Sequence, residues 1–347
     1  MFVAWRDLRF ARGRFALMGT VIVLITLLVG LLSGLTAGLA RDNTSAVTGL
    51  PADHLAFAAP PAGQSASFTG SQLAQRAWRT WAAQPGVTGA QPLAIRTGNA
   101  EAGSRTAAVS AFAVRPGSGL APGEPGISGV VLSRGAADDL GAAAGDTVTV
   151  AGRSLTVTAV AGDDSYSHTP VVWTSLRAGE KASVVALTTT AGAGLGAGDR
   201  AAGTKTLTLD GSLSALPSYQ AENGSLQLMR GFLFVISALV IGAFFTVWTI
   251  QRSGDIAVLK ALGASTPYLL RDALGQAVLI LLAGTLLGTA VAAGIGAVVP
   301  GSVPFELDPL TTVVPAAVTV VLGVLGAALS IRRITSVDPL AALGSAR

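Results

Sequence analysis

Four apolar stretches, residues 15–40, 231–250, 273–299 and 310–331, restrict the folding of this 347-residue chain more than any other feature. They hold 26, 20, 27 and 22 residues and almost no charge. A run of about 20 apolar residues suffices for a helix to cross a hydrocarbon core about 30 Å thick. The expected class is therefore an α-helical membrane protein with four transmembrane helices. With only 12% charged residues, the chain has about half the charge of an ordinary soluble domain, which disfavours a single water-soluble globule. The first stretch follows a basic leader, as a secretory signal does. It is longer than the usual signal core of about 7–15 residues, so it reads as a retained span.

Charge placement sets the orientation. Of 23 Lys and Arg, ten flank span ends on one side: Arg6, Arg9, Arg12 and Arg14; Arg252, Lys260 and Arg271; Arg332, Arg333 and Arg347. The loop 300–309 has no basic residue and carries Glu306 and Asp308. Basic residues accumulate on the cytoplasmic side of membrane proteins. Both termini and the loop 251–272 are thus expected in the cytoplasm of a multi-pass protein, and the excess of Arg over Lys with much Ala and Gly suits a G+C-rich bacterial genome, hence a bacterial cell membrane. The same distribution turns the net charge of +4 away from nucleic acid and toward the bilayer. The absence of Cys excludes disulfides, thiolate metal sites and Cys catalysis.

The expected organisation has one span, a large outside domain, then three more spans. Residues 1–14, with Phe2, Trp5 and Leu8 on one face, suit an interfacial amphipathic helix or merely a basic leader. Residues 15–40 are the first span, and 41–216 an α+β extracytoplasmic domain with a core of its own. In that domain the periodicity predicts a helix over 72–83 carrying Trp78 and Trp81, and a hairpin of strands 146–150 and 154–160 joined by 151–153. The Gly-rich stretch 191–203 reads as a flexible loop. Residues 217–250 form the second span with an outward helical extension, 251–272 a cytoplasmic loop, 273–299 the third span, 300–309 an outside loop, 310–331 the fourth span, and 332–347 a tail. Gly30, Gly34 and Gly38, and Gly284 and Gly288, repeat every four residues and let helices approach closely. The first set suits either a dimer or moving interface, or fixed packing within one subunit. Pro315 is expected to kink the fourth span.

Enzymatic constellations are scarce. His54 and His168 have no metal-ligand companion at helical spacing and read as solvent-facing or structural. The pairs Asp138–Asp139 and Asp163–Asp164 read as solvated turns. A phosphate loop needs Gly followed by Lys-Ser/Thr, whereas none of Lys181, Lys205 and Lys260 follows a Gly. The chain is therefore read as no enzyme, with no cofactor of its own, and any ATP and Mg would belong to another polypeptide. The loop QRSGDIAVLKALGASTPYLLRD marks one helix face with Ile256, Leu259 and Leu262 or Gly263, with Asp255 and Lys260 elsewhere and Gly263 as a stop. Such a helix suits a groove of a soluble protein; a plain connecting loop is the alternative.

These residues carry a resemblance. QRSGDIAVLKALGAS resembles the coupling-helix signature of permeases of the MacB/FtsX-like (type VII) ABC transporter superfamily. RRITSVDPLAALG, residues 332–344, resembles its C-terminal pattern, and VVLSRGAADDLGAAAGDTVTVAGRSLTVTAV, residues 130–160, is similar to part of its extracytoplasmic domain. The resemblance implies a homodimer bound to two cytoplasmic ABC ATPase subunits, with residues 255–264 transmitting their closure. Asp255 stands where the usual acid is Glu, which keeps the charge. Members expel peptides, drugs or haem, extract lipoproteins, or transmit motion to cell-wall hydrolases.

The helix entering the second span bears on cargo. Glu222 and Met229 are seven residues apart, nearly two turns, and so share a face about 10.5 Å apart along the axis. A carboxylate and a thioether can bracket a haem, since Met is an axial ligand of haem iron. Leu226, Phe232 and Leu233 lie near that face to line the ring, and Arg230 or Arg41 is placed to meet propionates. Ordinary packing of the Met and solvation of the Glu is the alternative. The arrangement resembles haem efflux permeases of the HrtBA type, which implies Glu222 and Met229 as ligands of the haem iron. The expected function is export of haem from the outer leaflet by ATP-driven squeezing of a pocket at the dimer interface. Export of a hydrophobic peptide or drug, and mechanotransmission without transport, remain as alternatives.

Overall fold

A computed structural model describes residues 12–251, 254, 258, 262–299, 303–306 and 308–335. In chain order the elements are α1 (Arg12–Thr48), β1 (His54–Ala58), α2 (Gln75–Ala82), β2 (Val87–Ala102), β3 (Arg105–Val114), β4 (Gly129–Leu132), α3 (Arg134–Leu140), β5 (Thr147–Val150), β6 (Arg153–Val160), β7 (Ser165–Tyr166), β8 (Thr169–Ser175), β9 (Val184–Thr189), α4 (Leu195–Ala202), β10 (Thr204–Thr208), α5 (Leu209–Ser212), α6 (Pro217–Gln251), α7 (Thr266–Val298) and α8 (Pro309–Thr335). The chain divides into a helical unit, up to Gly38 and from Ser225 onward, and a strand-rich unit, Leu39–Gly224.

In the helical unit four helices are long and apolar enough to cross a bilayer. A helix pairs the backbone groups of its interior within itself, as a lipid environment requires, although Pro315 inside α8 has no N–H to donate. Their buried cluster is small: Met18, Ile22, Ile241, Phe245, Ala277, Ile280, Leu281 and Ala327. Close approach comes from glycine. A Cβ on Gly30 would stand 3.0 Å from the Ala292 methyl, and one on Gly34 would stand 2.5 Å from the Phe305 ring. One on Gly38 would strike the Pro304 carbonyl. On the facing helix, a Cβ on Gly284 would meet Ile22 at 2.7 Å and one on Gly288 would meet the Val23 carbonyl at 2.7 Å. The space beside Gly30, Gly34 and Gly38 of α1 is thus filled by α7 and by residues 303–306 of the same chain. Of the two readings of that stripe, fixed packing within one subunit accounts for it.

The strand-rich unit follows the opposite rule, with its large apolar side chains inside. Its sheet runs β10-β1-β9-β2-β3-β8-β4-β6-β5, and β5 pairs again with β2. The long β2 thereby closes six strands, β2-β3-β8-β4-β6-β5, on themselves. Val109, Val130, Leu132, Val148, Val150, Leu155, Val157 and Val172 fill this closure together with Ala136 and Leu140 from α3. On the other sheet face Phe57, Phe68, Tyr166, Phe112 and Trp173 form a chain of edge-to-face contacts with centroids 4.8–5.8 Å apart, the geometry favoured by aromatic quadrupoles. The β5–β6 hairpin turns on Ala151 and Gly152, at φ 48° and 73°, as a two-residue primed turn requires. Arg153 is therefore a strand residue opposite Val150, not part of the turn.

A second expectation is overturned. The stretch 191–203 is not a flexible loop throughout, because Leu195–Ala202 is a helix ended by Gly203 in the left-handed conformation at φ 67°. Low complexity concealed a packing requirement: a Cβ on Gly198 would collide with the Trp81 ring. Trp81 is fully buried, and its Nε1 donates to Thr204 Oγ1 at 3.1 Å. That hydroxyl in turn donates to Asp199 Oδ1 at 2.7 Å. Burial of an indole of this size stabilises by roughly 3 kcal/mol or more, enough to order an Ala/Gly segment of poor intrinsic helix propensity.

Candidate functional site

The strand-rich unit brings three distant segments to one carboxylate. Glu222 stands on α6, and both its oxygens, Oε1 and Oε2, lie 2.9 Å from His168 Nε2. Oε2 also accepts from Asn43 Nδ2 at 3.3 Å. Against an ionised carboxylate, which only accepts, Nε2 of His168 must carry the hydrogen. The pair is partly open to solvent, with side chains 34% and 40% exposed for His168 and Glu222. Such a pair contributes about 1 kcal/mol or less; its main effect is on orientation.

The turn that presents His168 is unusual. β7 and β8 pair Tyr166 with Thr169, leaving Ser167 and His168 as a two-residue loop at φ 52° and 61°. Both positions of a primed turn need positive φ and favour Gly, Asn or Asp. Neither residue here is one of those, so the conformation has to be held from outside. Helix α1 holds it: Ser167 N donates to the Asn43 carbonyl at 3.0 Å and His168 N to the Asp42 carbonyl at 3.2 Å. Ser45 Oγ accepts from Ser165 N at 2.8 Å and donates to the Ser165 carbonyl at 3.2 Å.

A directed chain of donors continues to the carboxylate. Ser167 Oγ donates to Ser218 Oγ at 3.1 Å, and Ser218 Oγ donates to Asn43 Oδ1 at 2.8 Å. Asn43 then donates to Glu222. Asn43 itself is almost fully buried, so its amide is fixed by these bonds, and each link polarises the next. Beside this chain, burial raises the Tyr166 phenol above its ordinary value. Burial also raises the Asp164 carboxyl; the Trp173 indole offsets this in part, Asp163 adds to it and Arg41 opposes it. The Trp173 indole N–H makes no hydrogen bond of normal geometry, so burial dominates.

The other sequence-derived residues are placed as follows. Met229 lies seven residues beyond Glu222 on the continuous helix α6 and is half-exposed. Leu226, Arg230 and Leu233 are half-buried and Phe232 is exposed. Leu262 is exposed, its N–H bonded to the Val258 carbonyl at 3.0 Å, and Gly263 follows at φ 93°. Asp255, Ile256, Leu259 and Lys260, like residues 1–11 and 336–347, lie outside the described residues. Among the described residues no group of three or more His, Asp or Glu is placed to hold a metal ion. Sequence reading missed His168 and Asn43. Their only local signal is the Tyr-Ser-His-Thr stretch between short strands, and their partner lies 54 and 179 residues away.

Residues 17–201 match the family of MacB-like periplasmic core domains, and residues 228–339 match the C-terminal domain of FtsX-like permeases. The chain belongs to the MacB/FtsX-like permeases. As a MacB/FtsX-like ABC transporter permease with four apolar helices, it is a membrane protein. It is 34% identical over 142 residues to a putative hemin transport system permease protein HrtB of Staphylococcus epidermidis, an alignment that spans 41% of each chain. With a protein of the same description from Staphylococcus haemolyticus it shares 28% identity over 359 aligned positions, 99% of each chain. The chain thus spans about two fifths of the first relative's length and nearly all of the second's. A solved periplasmic region of MacB from Actinobacillus actinomycetemcomitans is 13% identical, at a TM-score of 0.36, and covers 47% of this chain and 92% of its own.

Proposed function

We propose that this MacB/FtsX-like permease is the membrane subunit of an ABC efflux transporter that exports haem from the outer leaflet. The observation that carries the reading is the alignment over 99% of the chain with a protein described as a putative hemin transport permease. In this reading the helices cross in a one-plus-three arrangement, with α1 before the extracytoplasmic domain and α6, α7 and α8 after it, and both termini are cytoplasmic. Two copies pair and bind two ABC ATPase subunits, which hold ATP and Mg and push on residues 255–264. Their approach squeezes a pocket at the dimer interface and releases cargo outward.

The donor chemistry of α6 supports haem as that cargo. Glu222 offers a carboxylate and Met229 a thioether on one helix, and the half-buried Leu226, Leu233 and Arg230 offer apolar and cationic contact for a ring with propionates. The hydrogen bonds of Glu222 suit a ligand role, because Oε2 carries the contacts of both His168 and Asn43 while Oε1 shares only His168. Oε1 is then the oxygen that turns to iron, with His168 and Asn43 holding Oε2. His168 and Asn43 are positioning residues in this scheme; Glu222 and Met229 bind. The test is titration of the purified permease with haemin. A Soret band should appear in the wild type and be lost in Glu222→Ala and Met229→Ala. In His168→Ala it should persist at lower affinity, by roughly threefold to tenfold. No spectral change in any variant would remove haem and leave a hydrophobic peptide or drug, or mechanotransmission, as the function.

A further inference from the structure

The six-strand closure carries a second feature, independent of the haem reading. Strand register fixes which side chains face its interior, since residues directly opposite each other in a ladder project to the same side. Ala94 lies opposite Ala113 and Arg96 opposite Ala111, while Arg153 lies opposite Val150. Val150 belongs to the interior set and Ala111 packs against it, so Arg96 and Arg153 start from inward-facing positions of a largely apolar barrel, with Thr174 also at the mouth. Small residues stand around them. Ala94, Ala111 and Ala113 leave a shallow concave mouth that is open to solvent. The mouth is walled by Val150 and Leu155 and rimmed by Arg96, Arg153, Arg177 and Glu180.

Charge at this mouth does not balance. Glu180 is the one acid among its lining residues, against three arginines, and its side chain is only 8% exposed. Both of its oxygens are engaged: Oε1 with Arg96 Nη2 at 2.9 Å, and Oε2 with the Arg177 backbone N–H at 2.9 Å. Arg153 Nη2 donates to the Ile127 carbonyl at 3.2 Å, a neutral acceptor. Two guanidinium charges are thus left without an acid among the lining residues. Guanidinium forks match a carboxylate in plane and bind it through two parallel bonds. An apolar floor beneath such a rim is the common build of a small-ligand site, and barrel mouths are a common place for one.

We propose that the mouth of this barrel binds an organic carboxylate, with its acid group on Arg153 and Arg177 and its carbon chain on Ala94, Ala111 and Ala113. The Arg96–Glu180 pair is the fixed wall that sets the spacing. The carboxylate can come from a small free acid or from an acidic side chain of an extracytoplasmic peptide. The full chain in zwitterionic lipid nanodiscs is titrated by calorimetry with glutarate, with an acetylated, amidated tri-glutamate peptide, and with inorganic phosphate. Saturable one-site binding of glutarate or the peptide is expected, with phosphate at least tenfold weaker. Binding of the peptide alone assigns an acidic peptide, and equal binding of both assigns a free acid. Arg177→Gln, at an exposed side chain, should weaken binding roughly tenfold, the value of one charge-assisted bond, with an unchanged melting temperature. Arg200→Gln on α4 should leave it unchanged. Absence of saturable carboxylate binding, equal affinity for phosphate, or undiminished binding in Arg177→Gln would each overturn the proposal. Haemin titration of the same samples reports separately on the haem reading.

Discussion

The two units of this permease are packed by opposite rules. In the helical unit the large apolar residues point outward: Leu239 on α6, Leu286 on α7 and Leu329 on α8 are each about 70% exposed. Its buried cluster is small, and its helices approach closely where a glycine faces a neighbour, as at Gly30, Gly284 and Gly288. In the strand-rich unit Trp81, Trp173, Phe57 and Phe112 are fully buried, while charged strand residues such as Arg96, Glu101 and Lys205 are exposed. The difference lies in the solvent. Water drives large apolar groups inward at about 25 cal/mol per Å² buried, whereas lipid offers no such drive, and helices associate through close backbone approach instead. One chain therefore uses a leucine as outer surface in one unit and as core in the other.

That contrast can be broken by substitution. The largest effect is expected from Trp81→Ala, which should destabilise the strand-rich unit by about 3–5 kcal/mol. Leu239→Ala on the lipid-facing side should change stability by less than ~0.5 kcal/mol, as read from thermal unfolding in nanodiscs. Equal losses in the two variants would mean that protein, not lipid, covers the outer face of α6. Next comes Gly34→Leu, which must displace the Phe305 ring. Overpacking of this kind costs about 1–3 kcal/mol, and the same variant should increase protease sensitivity in the helical unit alone. A uniform loss in both units would show that they unfold together.

The smallest effect sharpens the picture on the water side. Burial raises the Asp164 carboxyl, so the folded state holds this proton more tightly than the unfolded chain does. Its contribution favours folding below the ordinary value near 3.8 and is lost as pH rises through the raised value. Asp164→Asn should therefore raise the melting temperature at pH 7 by about 1–2 °C and give no gain at pH 3. A gain that persists at pH 3 would point to the new amide's hydrogen bonds rather than to relief of a buried charge.

Much of this was open to local reading. Run length alone marks the four long helices, and alternation in DTVTV and SLTVTAV marks the β5–β6 hairpin. Other features were closed to it. The stretch 191–203 looks like a linker until Trp81 is set against Gly198. His168 shows no companion at helical spacing because its partner, Glu222, is 54 residues away. Arg153 looks like a turn residue until the register places it opposite Val150.

From the residues in order, one can derive which segments prefer lipid and where a carboxylate and a thioether fall two turns apart on one helix. Those are properties of short windows, set by hydrophobic period and the geometry of a single helix. The closure of β2 on β5, the clasp of His168 and Asn43 on Glu222, and the gathering of three arginines at one barrel mouth belong to no window. They exist because ladder pairing and close packing join segments far apart in the chain, and neither leaves a periodic trace in the residues it joins.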